Sequence, residues 1–411
     1  MIGRPYNADV DREAAHRIWY ECHWISNKDQ ERNMDEFLAG GGGRVHVAEL
    51  NGEAECLVAS APGSVRYLEE ELRLSVITGV TTSRVARKQR FAGRLTAEVI
   101  AADVVDGAQV CVLSMFEQGF YDRLGFGTGG YEHMIRFDPA DLNLDAVFRP
   151  PRRLSKDDAQ MVHEAMLSRM RGHGGCNLLP VEVTKAELGW NEREFGLGYC
   201  DGPDGALSHF FWVIGKDESG PYHIKFLAYQ TYGQLMELLA LLKSLGDQIR
   251  LVSLVEPADI QLQDLVRQPF RGRTVTARTE YEQHLRANAY WQMRICDMPG
   301  CLEKTHLPGE TVRFNLKLSD PIGQALDSSS PWSGVAGDYI IALGPESKAD
   351  LGEDAKLPTM TASVGAFTRL WLGVRPASGL SATDELSAPV SLLAQLDHIL
   401  RVPPARVGWD F

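Results

Sequence analysis

The chain has 411 residues, 44% of them hydrophobic and 24% charged, and a formal net charge of −13. That length exceeds one hydrophobic core and implies roughly two to four domains. The negative charge argues against nucleic acid as a partner and suits a cationic one. No apolar run approaches the ~18 residues of a membrane span. The start, Met1-Ile2-Gly3-Arg4-Pro5-Tyr6, lacks the apolar core of a signal peptide, so the chain is read as cytoplasmic with no membrane partner. Seven cysteines form no C-x-x-C pair, and Cys296 and Cys301 have no matching pair elsewhere. No metal site is expected, and the thiols are read as reduced.

In chain order, Asp11 to Glu21 reads as a helix. Gly40 to Gly43 reads as a flexible loop. Arg44 to Leu50 and Glu55 to Ala61 read as strands around an Asn51-Gly52 turn, and Leu72 to Thr81 as a third. Ala92, Leu95, Thr96, Val99 and Ile100 recur at helical spacing. Strands follow at Val110 to Met115 and His133 to Phe137. A Pro-rich boundary runs from Asp138 to Pro151, then a helix from Lys156 to Arg171. Strands at Phe195 to Tyr199, Leu207 to Ile214 and His223 to Ala228 precede a helix through Leu235 and Leu242, then a strand at Arg250 to Val255. This order repeats that of the first segment. A weakly patterned stretch from Arg271 to Glu280 marks a second boundary. The last segment carries strands at Met293 to Asp297, Arg313 to Leu318 and Gly337 to Leu343, and helices at Ser363 to Leu370 and Val390 to Leu400. The expected domains are 1–150, 151–285 and 286–411.

The chemistry-bearing residues cluster in the first segment. Arg87-Lys88-Gln89-Arg90-Phe91-Ala92-Gly93 enters a helix, where backbone N–H groups and cations favour phosphate. Read alone, the cluster is equally a solvated basic turn. Val80-Thr81-Thr82 closes the preceding strand. Gly119-Phe120-Tyr121-Asp122-Arg123-Leu124-Gly125-Phe126 follows the strand at Val110. A tyrosine is protonated at neutral pH and able to donate; without a wider pattern Tyr121 reads as a core residue. Phe411 ends the chain, where a carboxylate accepts protons. Gly125 to Gly130 fits G-x-G-x-x-G but precedes a strand, so it is not a dinucleotide fingerprint. His23 and Trp24 follow the first helix as candidate substrate-pocket residues or as packing. In the second segment, Tyr229-Gln230-Thr231-Tyr232-Gly233 replaces the basic turn, which suggests a cofactor-free copy of the same fold.

Strand, cationic helix entry, strand and aromatic-Tyr-x-x-x-Gly-Phe, in that order, resemble the Eis ("enhanced intracellular survival") family of GNAT N-acetyltransferases over the whole chain. The resemblance implies an α/β and α+β chain: two tandem GNAT-like domains, the second without cofactor, then a sterol-carrier-protein-like domain. Ser330-Pro331-Trp332 and Arg369-Leu370-Trp371-Leu372-Gly373 are similar to signatures of that last domain. It further implies acetyl-CoA as cofactor, held by Val80, Thr82, Arg87, Lys88, Arg90, Ala92 and Gly93, with Tyr121 as general acid and the Phe411 carboxylate as base. A ternary-complex mechanism, an aminoglycoside-like or lysine amine as acceptor, and a homo-hexamer are expected on the same ground.

One departure stands out. Arg90 occupies a family glycine position and Arg84 a proline position in the pyrophosphate turn. A side chain at that glycine crowds phosphate. Two alternatives therefore stand: a GNAT-fold enzyme that has lost acetyl-CoA and performs other acid/base chemistry, and a non-catalytic ligand-binding protein.

Overall fold

The computed structural model describes residues 3–39, 43–270 and 275–409. The loop expected at Gly40 to Gly43 lies largely outside them, as does the start of the boundary at Arg271. The first part of the chain comprises β1 (Gly3–Pro5), α1 (Ala8–Glu21), α2 (Lys28–Ala39), β2 (Arg44–Leu50), β3 (Glu53–Tyr67), β4 (Glu70–Thr82), α3 (Phe91–Val105), β5 (Val110–Ser114), β6 (Gly127–Thr128) and β7 (Glu132–Phe137). Asn7 starts α1 earlier than Asp11 because its side chain accepts from the Asp9 N–H. The Asn51-Gly52 hairpin forms as read, with both residues at positive φ. The polar sequence of α2 hid it from periodicity: only Met34 and Leu38 are buried.

Three sheets organise the chain. The first runs β1-β2-β3-β4-β5, then strand Trp291–Ile295, then β6, with Cys176–Leu178 added beside β3. The second runs His284–Asn288, β7, Val252–Val255, Tyr222–Ala228, His209–Gly215, Glu194–Tyr199 and Arg152–Leu154. The third is built from Lys348–Leu351, Gly337–Leu343, Val312–Ser319, Thr359–Ser363 and Leu386–Ser387. The fold is mixed α/β and α+β, and the first two sheets share one plan, an antiparallel run that ends on a single parallel pair.

Sheet membership does not follow the chain segments. β7 joins the second sheet, whereas Trp291–Ile295, from the start of the last segment, sits between β5 and β6. All five of its residues are buried. Trp291, Met293 and Ile295 enter the core, while Gln292 and Arg294 take the other face. Periodicity identifies such a strand but not its sheet. The helix read from Lys156 to Arg171 is shorter, a 3-10 turn and then Ala159–Ser168, because Arg169 is extended and turns inward. Arg169 is buried and donates to the carbonyls of Met166, Cys176 and Gly408.

His173 joins the first sheet to the last segment and gives the fold a pH dependence. Its Nδ1 lies 3.1 Å from the Leu68 N–H, which donates to it, and its Nε2 lies 3.2 Å from the Leu372 carbonyl. That pattern fits the neutral Nε2–H tautomer. A proton on Nδ1 would face a donor, and burial pushes the pKa down to about 4. The unfolded state binds its proton near 6.5, so stability is full above that pH and falls as pH drops towards about 4. The expected loss is on the order of 3 kcal/mol from this residue. Urea unfolding from pH 7 to 4.5 measures it; an identical slope in His173→Gln would remove His173 as the cause.

Candidate functional site

The site begins where β4 and β5 part. The parallel pairing runs from Leu74–Val110 to Ile77–Leu113 and stops. Beyond it, Thr78 to Thr82 have no partner on the β5 side, while the pairing to β3 continues through a bulge between Leu57 and Ala59. Gly79 sits in this bulge at φ +64. Half of an extended strand edge is thus open to an extended amide-bearing ligand. Val80 and Thr82 lie on this stretch as expected. Val80 lines the cleft, and the Thr82 hydroxyl turns to Cys56 Sγ at 3.3 Å.

Helix α3 starts directly after the basic turn. Arg90 is its N-cap at φ 65 and provides no side-chain hydrogen bond. The first backbone N–H groups of any helix have no intrahelical acceptor, so those of Phe91, Ala92 and Gly93 face outward with the positive dipole end. A Cβ built on Gly93 meets nothing within 4 Å. Arg87, Lys88 and Arg90 are exposed and form no ion pair among the described residues. The equivalent helix of the second sheet, Tyr232–Ser244, differs. Thr231 accepts from Gln234 N–H, and the Gln234 side chain accepts from Thr231 N–H, so the end is closed by its own capping box. The donor set of the first helix fits a pyrophosphate; that of the second does not.

Tyr121 opens the 3-10 turn Asp122–Leu124 after β5. It is 2% exposed and packs edge-on against Phe120 and Phe126. Burial pushes its phenol well above the usual value, so it carries its proton at neutral pH. The glycines after it serve packing. A Cβ at Gly127 would meet the Gly365 carbonyl at 2.3 Å, and one at Gly129 the Trp291 ring at 2.3 Å.

Where β4 and β5 part, beside Tyr121, lies a cleft of about 520 Å³; no residue of the basic turn or the start of α3 lines it. Trp19, Trp24, Phe37, Phe116 and Trp190 form its aromatic wall, with Tyr121, Gly79 and Val80 opposite. Trp19 is the hub, 5.2 Å from Trp24 and 6.0 Å from Trp190 between ring centroids. Two polar atoms among the lining residues, Trp19 Nε1 and Ser114 Oγ, are buried without a hydrogen-bond partner among the described residues. Glu187 brings a carboxylate to the cleft. It ends helix Val181–Glu187, and Lys225 holds it at 2.7 Å. Helix α2 fixes the loop behind it: Asn33 and Gln30 donate to the carbonyls of Gly189 and Trp190.

The structure brings Trp24, Val80 and Tyr121 to one cleft. His23 is exposed at φ 59, ending α1, and is not among the cleft-lining residues. Phe411 lies outside the described residues. The chain before it docks: Trp409 is 2% exposed, and the Arg169 guanidinium lies over its ring at 5.1 Å. Sequence reasoning missed Trp19, Phe37, Ser114, Phe116, Glu187 and Trp190. Trp19, five residues before Trp24, was the one available signal; Glu187 and Trp190 arrive from the second segment and carry none.

Residues 4–129 match the acetyltransferase (GNAT) domain family. No curated protein matches the chain in sequence. Three solved structures share its fold along the whole length. A GCN5-related N-acetyltransferase from Anabaena variabilis has a TM-score of 0.79 at 14% identity, covering 100% of this chain and 99% of that one. A probable N-acyltransferase from Enterococcus faecalis has a TM-score of 0.76 at 16% identity, with 98% and 97% covered. Eis1 from Mycobacterium abscessus has a TM-score of 0.75 at 13% identity, with both chains covered at 100%. No helix among the described residues is long and apolar enough to cross a membrane.

Proposed function

We propose that this chain, an Eis-like GNAT acyltransferase, moves an acetyl group from acetyl-CoA to the amine of a cationic small molecule or a lysine side chain. The observation that carries the reading is a convergence. An open strand edge and a buried protonated tyrosine meet at one cleft, and that strand runs on into the basic turn and the uncapped N-terminus of α3.

Bound acetyl-CoA would supply the thioester that the amine attacks. Arg87, Lys88, Arg90 and the N–H groups of Ala92 and Gly93 would hold the pyrophosphate, and the β4 edge at Val80 and Thr82 the pantetheine arm. The aromatic wall and Glu187 favour an alkylammonium by cation–π and charge attraction. Tyr121 donates its proton to the departing thiolate. Two carboxylates are candidates for the amine proton: that of Phe411, on family resemblance, and that of Glu187, which lines the cleft. A sterol-carrier-like third sheet, a hexamer and a cytoplasmic location complete the reading on resemblance.

The second reading, loss of acetyl-CoA, draws on Arg90 in a left-handed conformation that glycine adopts without strain. Calorimetric titration with acetyl-CoA separates the two. The expected result is micromolar binding, weakened about tenfold in Arg87→Ala, since a charge-assisted hydrogen bond is worth ~1.5–3 kcal/mol. Silence at millimolar cofactor overturns the acetyl-CoA reading.

A further inference from the structure

The second sheet parts like the first. Tyr222–Ala228 and Val252–Val255 share only the parallel pairs Tyr222–Val252 and His223–Ser253, and a bulge interrupts the first strand's other edge between Trp212 and Val213. A cavity of about 580 Å³ opens in the gap, within the usual range of small-molecule sites. No residue lines both this cavity and the acyl-transfer cleft. The segment carrying Pro403, Arg406 and Trp409 forms one wall, and Met134, Met166, Phe226 and Leu254 contribute an apolar lining.

Most charged groups around it are matched within the protein. Arg169 is saturated by carbonyls, Arg171 pairs with Glu71, and Lys225 pairs with Glu187. Glu256 accepts from the Leu262 N–H and lies 3.3 Å from His133. Two donors remain. Arg406 Nη1 and Trp409 Nε1 are buried with no hydrogen-bond partner among the described residues. Arg406 Nη2 has only a 3.4 Å contact with His133 Nδ1. Two unmet N–H groups, one cationic, call for an anionic acceptor. The self-capped helix beside them offers no phosphate cradle. The lining favours an apolar body.

We propose that this cavity is a second ligand site, for an amphipathic carboxylate: an acyl chain ending in one carboxylate. The carboxylate accepts from Arg406 and Trp409, and the chain runs along Met134, Met166, Phe226 and Leu254. The site is independent of the acyl-transfer reading.

The test is calorimetric titration of the full chain with sodium decanoate and, separately, 1-decanol. Saturable micromolar binding of decanoate is expected, with decanol at least about tenfold weaker because it lacks the charged acceptor. Arg406→Gln brings decanoate to the affinity of decanol and leaves the acetyl-CoA titration unchanged. Absence of saturable decanoate binding up to millimolar concentration overturns the proposal. So does equal affinity for decanoate and decanol in the unaltered protein, a comparison that needs no variant to fold.

Discussion

Tyr121→Phe is expected to lower kcat by ~10²-fold or more while leaving KM for acetyl-CoA and the melting temperature close to those of the unaltered protein. The magnitude is that of a lost general acid. The selectivity follows from the surroundings. The ring sits in an aromatic nest of Phe116, Phe120 and Phe126, which phenylalanine fills equally well. The hydroxyl has no hydrogen-bond partner among the described residues, so its removal orphans nothing inside the protein. The structural cost is therefore small and the chemical cost large. Burial holds the phenol above its ordinary pKa, so the acid limb of the kcat profile should not move with Tyr121. Near-normal turnover in this variant would take Tyr121 out of the proton-donor role and direct attention to a water in the cleft.

How much of this was legible depends on how local each feature is. The Tyr121 turn, the basic entry to α3 and the strand ending at Thr82 lie within 42 residues of one another in the sequence, from Val80 to Tyr121. Their order alone carries the pattern. The cleft is another matter. Glu187 and Trp190 approach it from the second segment because α2 grips their loop through Gln30 and Asn33. No spacing rule links α2 to that loop. Strand exchange was equally hidden. Trp291–Ile295 reads as a strand, yet nothing in its own pattern says that it lies between β5 and β6. The clue sits in its polar residues. A buried strand with Gln292 and Arg294 on one face needs partners for both, and it finds them on the Tyr121 turn. Arg90 is a case that sequence alone leaves undecided. The sequence leaves open whether Arg90 contacts phosphate or blocks it; the structure places the residue exposed at the N-cap, with no side-chain cap on the helix end.

That strand also sets the largest expected loss of stability. Arg294 and Asp320 are both 0% exposed and meet at 2.6 Å. Arg294 Nη1 also donates to the Leu124 carbonyl, three residues beyond Tyr121, and its guanidinium lies over the Trp332 ring at 5.2 Å. Asp320 accepts from the N–H groups of Ile322 and Val335. Gln292 donates to Asp122 at 2.7 Å on the same turn. The last segment thus grips the tyrosine turn from behind through Arg294 and Gln292, with Asp320 bracing the buried guanidinium. Arg294→Leu leaves Asp320 ionised in a dry interior with only two amide donors, and the expected cost is about 3–5 kcal/mol. Pairing Arg294→Leu with Asp320→Leu removes both charges and should recover part of that loss, but not all. The Ile322 and Val335 N–H groups then lack an acceptor, at about 1–3 kcal/mol each if they stay dry. Urea unfolding of the two single variants and the double variant forms the cycle that isolates the pair. A strictly additive cycle would show that the two side chains do not support each other, and Asp320 would then not be what holds Arg294 against the tyrosine turn.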